Sequence, residues 1–414
     1  MLAGILTACG TAAPTAEPSA QSTSAVESTT EAAQDNYAPD TLGEDECGKA
    51  LTWRVSSGGT LTVRGEGDMY DFRAQAPWSS ERDNIYYIEV ESGVTSIGEN
   101  AFAGLDEVYE AELPKSVERL GKGAFSGCSQ LDYVRIPSGV EVIPERCFEG
   151  CSQMWGVRIP DSVTEIGPRA FNLCDHLSEM TLPDNLVRIG DEAFAFCDRL
   201  YSCHFPASLT QLGRNVFVRC TRLSRFNVSS GNPSFSTDDN GVLYDKKATI
   251  LIAFPYRSDD SSFTVPDTVT CIAEGAFSYC DALREVTIPD SVRTIEASAF
   301  YNCNNLETVT LPQGLKVIAE NLFSNSESLE EITLPDSVTE IRSGAFSGCA
   351  GLEEITIPKS VSVIGRSAFG NCAQLTVYVE GKALPTDGWD VYWVDSNATV
   401  EWESEKKTTA AAED

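Results

Sequence analysis

The segment Ala124-Phe125-Ser126-Gly127-Cys128-Ser129-Gln130-Leu131-Asp132-Tyr133-Val134-Arg135-Ile136-Pro137, followed by Val140 and Ile143, decides the fold because it recurs. Phenylalanines stand at 102, 125, 148, 171, 194 and 217, and again at 277, 300, 323, 346 and 369, with a spacing of 23 within each group. A fixed period of this size marks stacked units, each of which buries its apolar row only against its neighbours. Within the unit Val134 and Ile136 alternate with Tyr133 and Arg135, the period-two pattern of a strand with one buried face. One strand per unit, repeated in phase, stacks into a parallel sheet. The expected fold class is therefore a repeat solenoid with a parallel β-sheet on one face, short helical or irregular turns opposite, and a β-hairpin N-cap.

The same period explains most of the 14 cysteines. Cys128, Cys151, Cys174, Cys197, Cys220, Cys280, Cys303, Cys349 and Cys372 each follow a repeat phenylalanine by three residues, which makes them one stacked row. Free cysteine is among the most buried residue types and packs as a small hydrophobe, so the row reads as a buried thiol ladder. Disulfides along the row are the alternative: the strand spacing permits the span, but parallel Cβ vectors disfavour the bond.

The Leu-x-x-Val-x-Ile core of the unit, seen at Leu131, Val134 and Ile136, falls in the leucine-rich-repeat class. The Asn or Cys common three residues after the last strand leucine is replaced by Pro and a Ser-Val-x-x-Ile-Gly stretch, as at Ser162 to Gly167. In this the chain resembles the BspA-like subclass of leucine-rich repeat proteins, over roughly residues 47 to 402. The stretches around Cys47 and Trp53, Gly65 to Met69 and Ala76 to Trp78 also look like the module that opens many BspA-like chains. The resemblance implies a non-catalytic surface protein engaged in adhesion, with host extracellular-matrix proteins or neighbouring microbes as partners.

The start of the chain points the same way. Met1 to Ala8 is apolar, and Leu6-Thr7-Ala8-Cys9-Gly10 resembles a bacterial lipoprotein lipobox, by which Cys9 would carry the lipid. Residues 1–9 read as a truncated signal peptide, since they lack a basic region and place only eight residues before Cys9. Residues 10–43 are rich in Thr, Ala, Ser, Pro and Glu, and from Thr11 to Leu42 hold no Lys or Arg; such a stretch buries too little apolar surface to fold and reads as a disordered tether. A β-rich cap is expected over 44–93, where Leu51, Trp53 and Val55 precede a Ser56-Ser57-Gly58-Gly59 turn and Leu61 and Val63 follow it. The solenoid spans 94–376, a C-terminal cap 377–403 and a disordered tail 404–414.

Between Phe217 and Phe277 the interval is 60 residues, one period plus an insertion placed at about 230–262. Gly241-Val242-Leu243-Tyr244 and Ile250 to Pro255 read as a second hairpin, expected to form a lateral flap, with Phe263-Thr264-Val265-Pro266 restoring the strand pattern. Asp238-Asp239-Asn240-Gly241 lacks the ligand alternation of a calcium loop and reads as an Asn-Gly turn. Trp389, Tyr392, Trp393 and Trp402 read as aromatics covering the last coil, with a sugar-stacking platform as the alternative.

Composition excludes several function classes. A net charge of −32 with 30 Lys plus Arg argues against nucleic acid, whose phosphates are bound by neutralising them. No apolar run approaches the 18 or so residues of a membrane span, so membrane contact is expected only through the lipid anchor. The two histidines, His176 and His204, and the absence of metal-ligand or nucleophile motifs leave no catalytic constellation, metal or cofactor to expect; a Cys-His pair at His176 is the one exception to test.

A ligand would meet the outward strand positions. Reading the place of Arg135 along the stack gives Glu112, Arg135, Arg158, Thr181, His204, Asn227, Thr287, Thr310, Thr333 and Thr356. The C-terminal half is a threonine row flanked by glutamates, a composition that suits strand formation and solubility alone. In the N-terminal half Tyr109, Tyr133, Arg135, Trp155, Arg158, Tyr201 and His204 interrupt it with residue types that dominate binding hot spots. These seven are the candidate ligand-binding residues for a protein or glycan, against ordinary drift of exposed positions. The competing functions are an enzyme using the solenoid as a substrate platform and a purely structural spacer.

Overall fold

The computed structural model describes residues 45–73, 75–256, 260–372, 374–381 and 387–402. Cys9, the expected tether and the expected tail lie outside the described residues.

Each repeat makes one coil of a parallel β-solenoid. The first side carries the longer strands, from Tyr87–Val90 through Glu110–Glu112, Tyr133–Arg135 and Gly156–Arg158 to Glu179–Thr181, joined in parallel with partners 23 residues apart in sequence, such as Tyr133 with Gly156 and Gly156 with Glu179. The row resumes with Ser202–Phe205 beside Arg225–Val228 and, past the long coil, runs from Ser262–Thr264 through Glu285–Thr287 to Thr308–Thr310 and Glu331–Ile332. Prolines such as Pro137 and Pro160 end these strands, since proline cannot donate to a ladder. The chain then turns into a second parallel row of two-residue strands, among them Val142–Ile143, Glu165–Ile166 and Arg188–Ile189. Serines tie coil to coil at that corner: Ser162 Oγ donates to the Val140 carbonyl at 2.6 Å and Ser208 Oγ to that of Leu186 at 2.7 Å. The glycine closing Ser-Val-x-x-Ile-Gly is required by close approach, because a Cβ on Gly190 would lie 2.5 Å from the Pro168 nitrogen of the previous coil.

The third side is made of turns, held by backbone bonds such as Phe148 N–H to the Ala170 carbonyl at 2.8 Å. The turns are irregular and not helical; the one helix among the described residues is the 3-10 segment Pro77–Asn84. Inside, the phenylalanine rings stack along the axis: Phe125, Phe148, Phe171 and Phe194 follow one another with centroids 5.3 Å apart. Beside them runs the cysteine row, fully reduced. Each thiol from Cys128 to Cys220 donates to the carbonyl of the phenylalanine 26 residues earlier, at 3.1 to 3.3 Å. At position 326, where the row lacks a cysteine, Ser326 Oγ makes the same bond to the Phe300 carbonyl at 2.8 Å. The slot thus asks for a small donor, which a thiol supplies without the hydration of a hydroxyl.

Aromatic side chains cover both ends of the stack. The antiparallel pair Leu51–Val55 and Thr60–Gly65 joins the repeat sheet through Tyr87–Val90, and the Trp78 ring stacks on Phe102 at 5.6 Å. At the other end Trp393 meets Phe369 edge-on at 5.8 Å and Trp389 packs on Trp393, both indoles buried, as a cap requires. The backbone keeps the repeat geometry further than the side-chain pattern does: Thr376–Val379 and Thr399–Trp402 still pair in parallel.

The long coil corrects one expectation. The hairpin forms, with Leu243–Asp245 antiparallel to Ile250–Ala253, but it is no lateral flap. Phe235, Val242, Leu243, Tyr244, Leu251 and Phe254 are buried, and Ile250 and Leu251 pair in parallel with Cys271 and Ile272 of the next coil. Phe254, 23 residues before Phe277, stacks on it at 5.2 Å and so occupies a repeat phenylalanine position that the regular pattern conceals. The extra residues are swallowed by the stack because their apolar side chains have no other surface to cover. Asp238-Asp239-Asn240-Gly241 is the expected turn: Asp238 Oδ1 accepts the Val242 N–H at 2.9 Å and Gly241 takes φ 75°.

Candidate ligand-binding face

Strand alternation places Tyr133, Arg135, Arg158 and His204 on the open face of the longer strands. Val134 and Val157 are buried, while Arg135, Arg158 and His204 are exposed and Tyr133 is half-buried. Tyr109, Trp155 and Tyr201, each immediately before the first residue of its strand, also face solvent, at 51%, 47% and 57% exposure; their side chains carry no share of the core.

The structure brings only some of them together. The rings of Tyr133 and Trp155 stack at 5.7 Å with planes 26° apart, forming one aromatic pair across two coils. Tyr109 borders it through the strand pairing of Glu110 with Tyr133. Arg135 and Arg158 stand in register on adjacent strands, roughly 4.8 Å apart at the backbone. Tyr201 and His204 lie two coils further on, past Ser178 and Thr181, and His204 Nε2 shares a 3.0 Å hydrogen bond with Ser229 Oγ. They belong to the same face but stand apart from the stacked pair.

Beneath the arginines an open groove of about 430 Å³ is lined by Arg135, Arg158, Lys115 and Asp161 together with Pro137 and Pro160. Among the described residues neither arginine forms an ion pair, whereas arginines at the second strand row and the turns do: Arg188 with Glu165 at 3.3 Å, Arg169 with Glu192 at 2.8 Å. The nearest carboxylate in the column, Glu112, lies by the Tyr87 hydroxyl, whose pKa is raised by burial and by Glu112. Over the equivalent positions of the C-terminal half the groove reappears, larger at about 850 Å³, and its lining reverses in sign to Glu330, Glu331, Asp336, Glu353, Glu354 and Glu380.

Sequence reasoning missed Tyr86 and Lys115. Tyr86, 41% exposed, precedes Tyr109 by one period and could have been found by extending the column into the expected cap. Lys115 lies after the strand, outside the alternation that was used, and reaches the groove only because the chain turns there.

The thiols of the ladder are poor nucleophiles. Burial pushes the Cys128 thiol up to about 12 and that of Cys174 higher still, and Cys174 Sγ donates to the Phe148 carbonyl at 3.2 Å, so the thiol beside His176 is committed to the stack. Among the described residues no cluster of three or more His, Cys, Asp or Glu could hold a metal, and no helix is long and apolar enough to cross a membrane.

The model of the BspA type leucine rich repeat region matches the chain in six copies, over residues 80–167, 142–238 and 252–376. The chain belongs to that family. The BspA-type fold is shared with solved bacterial proteins. A leucine rich cell surface protein from Faecalibacterium prausnitzii is 29% identical, with a TM-score of 0.71 over 84% of this chain and 99% of that one. A leucine-rich repeat protein from Eubacterium ventriosum shares 22% identity at a TM-score of 0.63, over 86% and 94% of the two chains. The pneumococcal vaccine antigen PcpA shares 24% at 0.65, over 89% and 96%. Comparison with curated proteins gives no match.

Proposed function

We propose that this BspA-type chain is a non-catalytic protein of the bacterial cell surface that captures a macromolecular ligand, in adhesion or in host or microbe contact, on the open face of its N-terminal coils. The observation that carries the reading is the stacked Tyr133–Trp155 pair beside two arginines that form no ion pair among the described residues. A solenoid of this kind offers a broad preorganised surface, and exposed aromatics and arginines are the groups that convert such a surface into affinity. The surface location of the Faecalibacterium prausnitzii relative supports the cellular setting. Lipid attachment at Cys9 would hold the chain there; Leu6-Thr7-Ala8-Cys9 supports that assignment.

The test is capture of matrix proteins, glycans and cell-wall fragments by the full chain. Tyr133→Ala with Arg135→Ala is expected to weaken whatever binds by roughly 30-fold or more for each residue that acts as a hot spot. Thr310→Ala with Glu331→Ala occupies equivalent scaffold positions in the other half and is expected to leave binding unchanged. Equal binding by both double variants would remove the site from this face.

A further inference from the structure

The groove under Arg135 and Arg158 has a chemistry of its own within a protein of net charge −32. It holds three cations, Lys115, Arg135 and Arg158, against the single carboxylate of Asp161. The two guanidinium groups sit in register on neighbouring strands, so they repel one another, and no carboxylate among the described residues offsets the repulsion by an ion pair. An anion placed between them would relieve it, with planar forks well suited to carboxylate or sulfate oxygens. The stacked Tyr133–Trp155 pair adjoins this site and adds exposed aromatic surface to it.

We propose that this groove is an anion subsite and that the ligand of the face is a polyanionic glycan whose sugar units carry carboxylate or sulfate; the inference rests on the face being the ligand-binding surface. Two features favour a glycan over an acidic peptide. Peptides that bind sheets by main-chain pairing need an open strand edge, but the strands under this site are bonded to neighbours on both sides. Recognition must then come from side chains alone. Those present are aromatic rings that offer apolar surface to sugar units and guanidinium groups that match their acid substituents, in neighbouring columns, the two guanidinium groups standing one coil, roughly 4.8 Å, apart at the backbone. The acidic lining of the C-terminal groove repels the same polymer and confines it to the N-terminal half.

The experiment uses the full chain in biolayer interferometry against immobilised polygalacturonate, chondroitin sulfate, neutral dextran and poly-L-glutamate, at two salt concentrations. Expected are binding to an anionic glycan, none to dextran, and weaker binding to poly-L-glutamate. Arg135→Ala with Arg158→Ala is expected to reduce glycan binding about 10-fold or more and to flatten its salt dependence, because the counter-ions released on binding are those of the two lost charges. Trp155→Ala is expected to weaken binding while leaving the salt dependence intact. All these side chains are exposed, so thermal melting serves as the check that the variants fold. Poly-L-glutamate binding as tightly as the glycans would overturn the proposal in favour of an acidic peptide or of charge alone, as would glycan binding indifferent to the arginine pair. If neither anionic glycan binds, the glycan assignment falls; capture of another ligand that still depends on Tyr133 and Arg135 would then leave the binding face standing.

Discussion

Removing one ring from the middle of the stack tests the physics of the whole molecule. In Phe171→Ala the lost ring is fully buried and lies between Phe148 and Phe194, each 5.3 Å away at interplanar angles of 12° and 2°. Loss of buried phenylalanine costs roughly 3 to 5 kcal/mol, the larger figure where the site cannot collapse. Here it cannot. The backbone at 171 is fastened to the next coil by its N–H to the Ala193 carbonyl at 2.8 Å, and its carbonyl accepts the Cys197 thiol, bonds an alanine keeps. About 4 to 5 kcal/mol is therefore expected. Because each coil is stabilised by its neighbours, the loss should appear as local opening. Its reach is bounded by the long coil, where the ring column breaks: Phe217 turns to Phe226 and Phe205, and the buried side chains beyond fall into a second cluster. Hydrogen exchange followed by mass spectrometry should show faster exchange over residues 148–200 and unchanged rates over 300–372. A uniform rise along the chain would refute nearest-neighbour stabilisation, and a loss under about 1 kcal/mol would refute the rigid-stack argument.

Two further outcomes follow from chemistry elsewhere in the chain. Burial raises the ladder thiols above their unfolded value of 9.0, to about 12 at Cys128 and Cys280, so the native state retains protons that the unfolded chain releases. Stability is then complete below about pH 9 and falls as pH rises from there towards 12; urea midpoints that stay constant between pH 8 and 11 would contradict it, as would rapid alkylation of the native thiols at neutral pH. For the anchor, the chain expressed in a bacterium behind a lipoprotein signal peptide should partition into detergent and lose that behaviour in Cys9→Ser, since stable attachment requires more than one acyl chain. Soluble wild-type protein would remove the lipid from the account.

Much of this protein is legible before folding because its order is one-dimensional. The 23-residue recurrence of Phe125, Cys128, Val134 and Ile136 specifies a stack of strands, and period-two alternation alone separates buried Val134 from outward Tyr133 and Arg135. The reduced thiol row follows from the same period. What could not be read is whatever depends on the distance between coils or on the path of the chain between strands. Phe254 was hidden because the insertion breaks the count, and only packing shows the extra hairpin entering the core instead of standing aside. Lys115 joins Arg135 and Arg158 because a turn carries it there. The seven outward candidates resolved into the stacked pair Tyr133 and Trp155 beside Arg135 and Arg158, with Tyr201 and His204 apart, since every second coil lies roughly 10 Å away and no side chain spans that gap to stack. Periodicity determines which residues share a face; the three-dimensional spacing of the coils decides which of them touch.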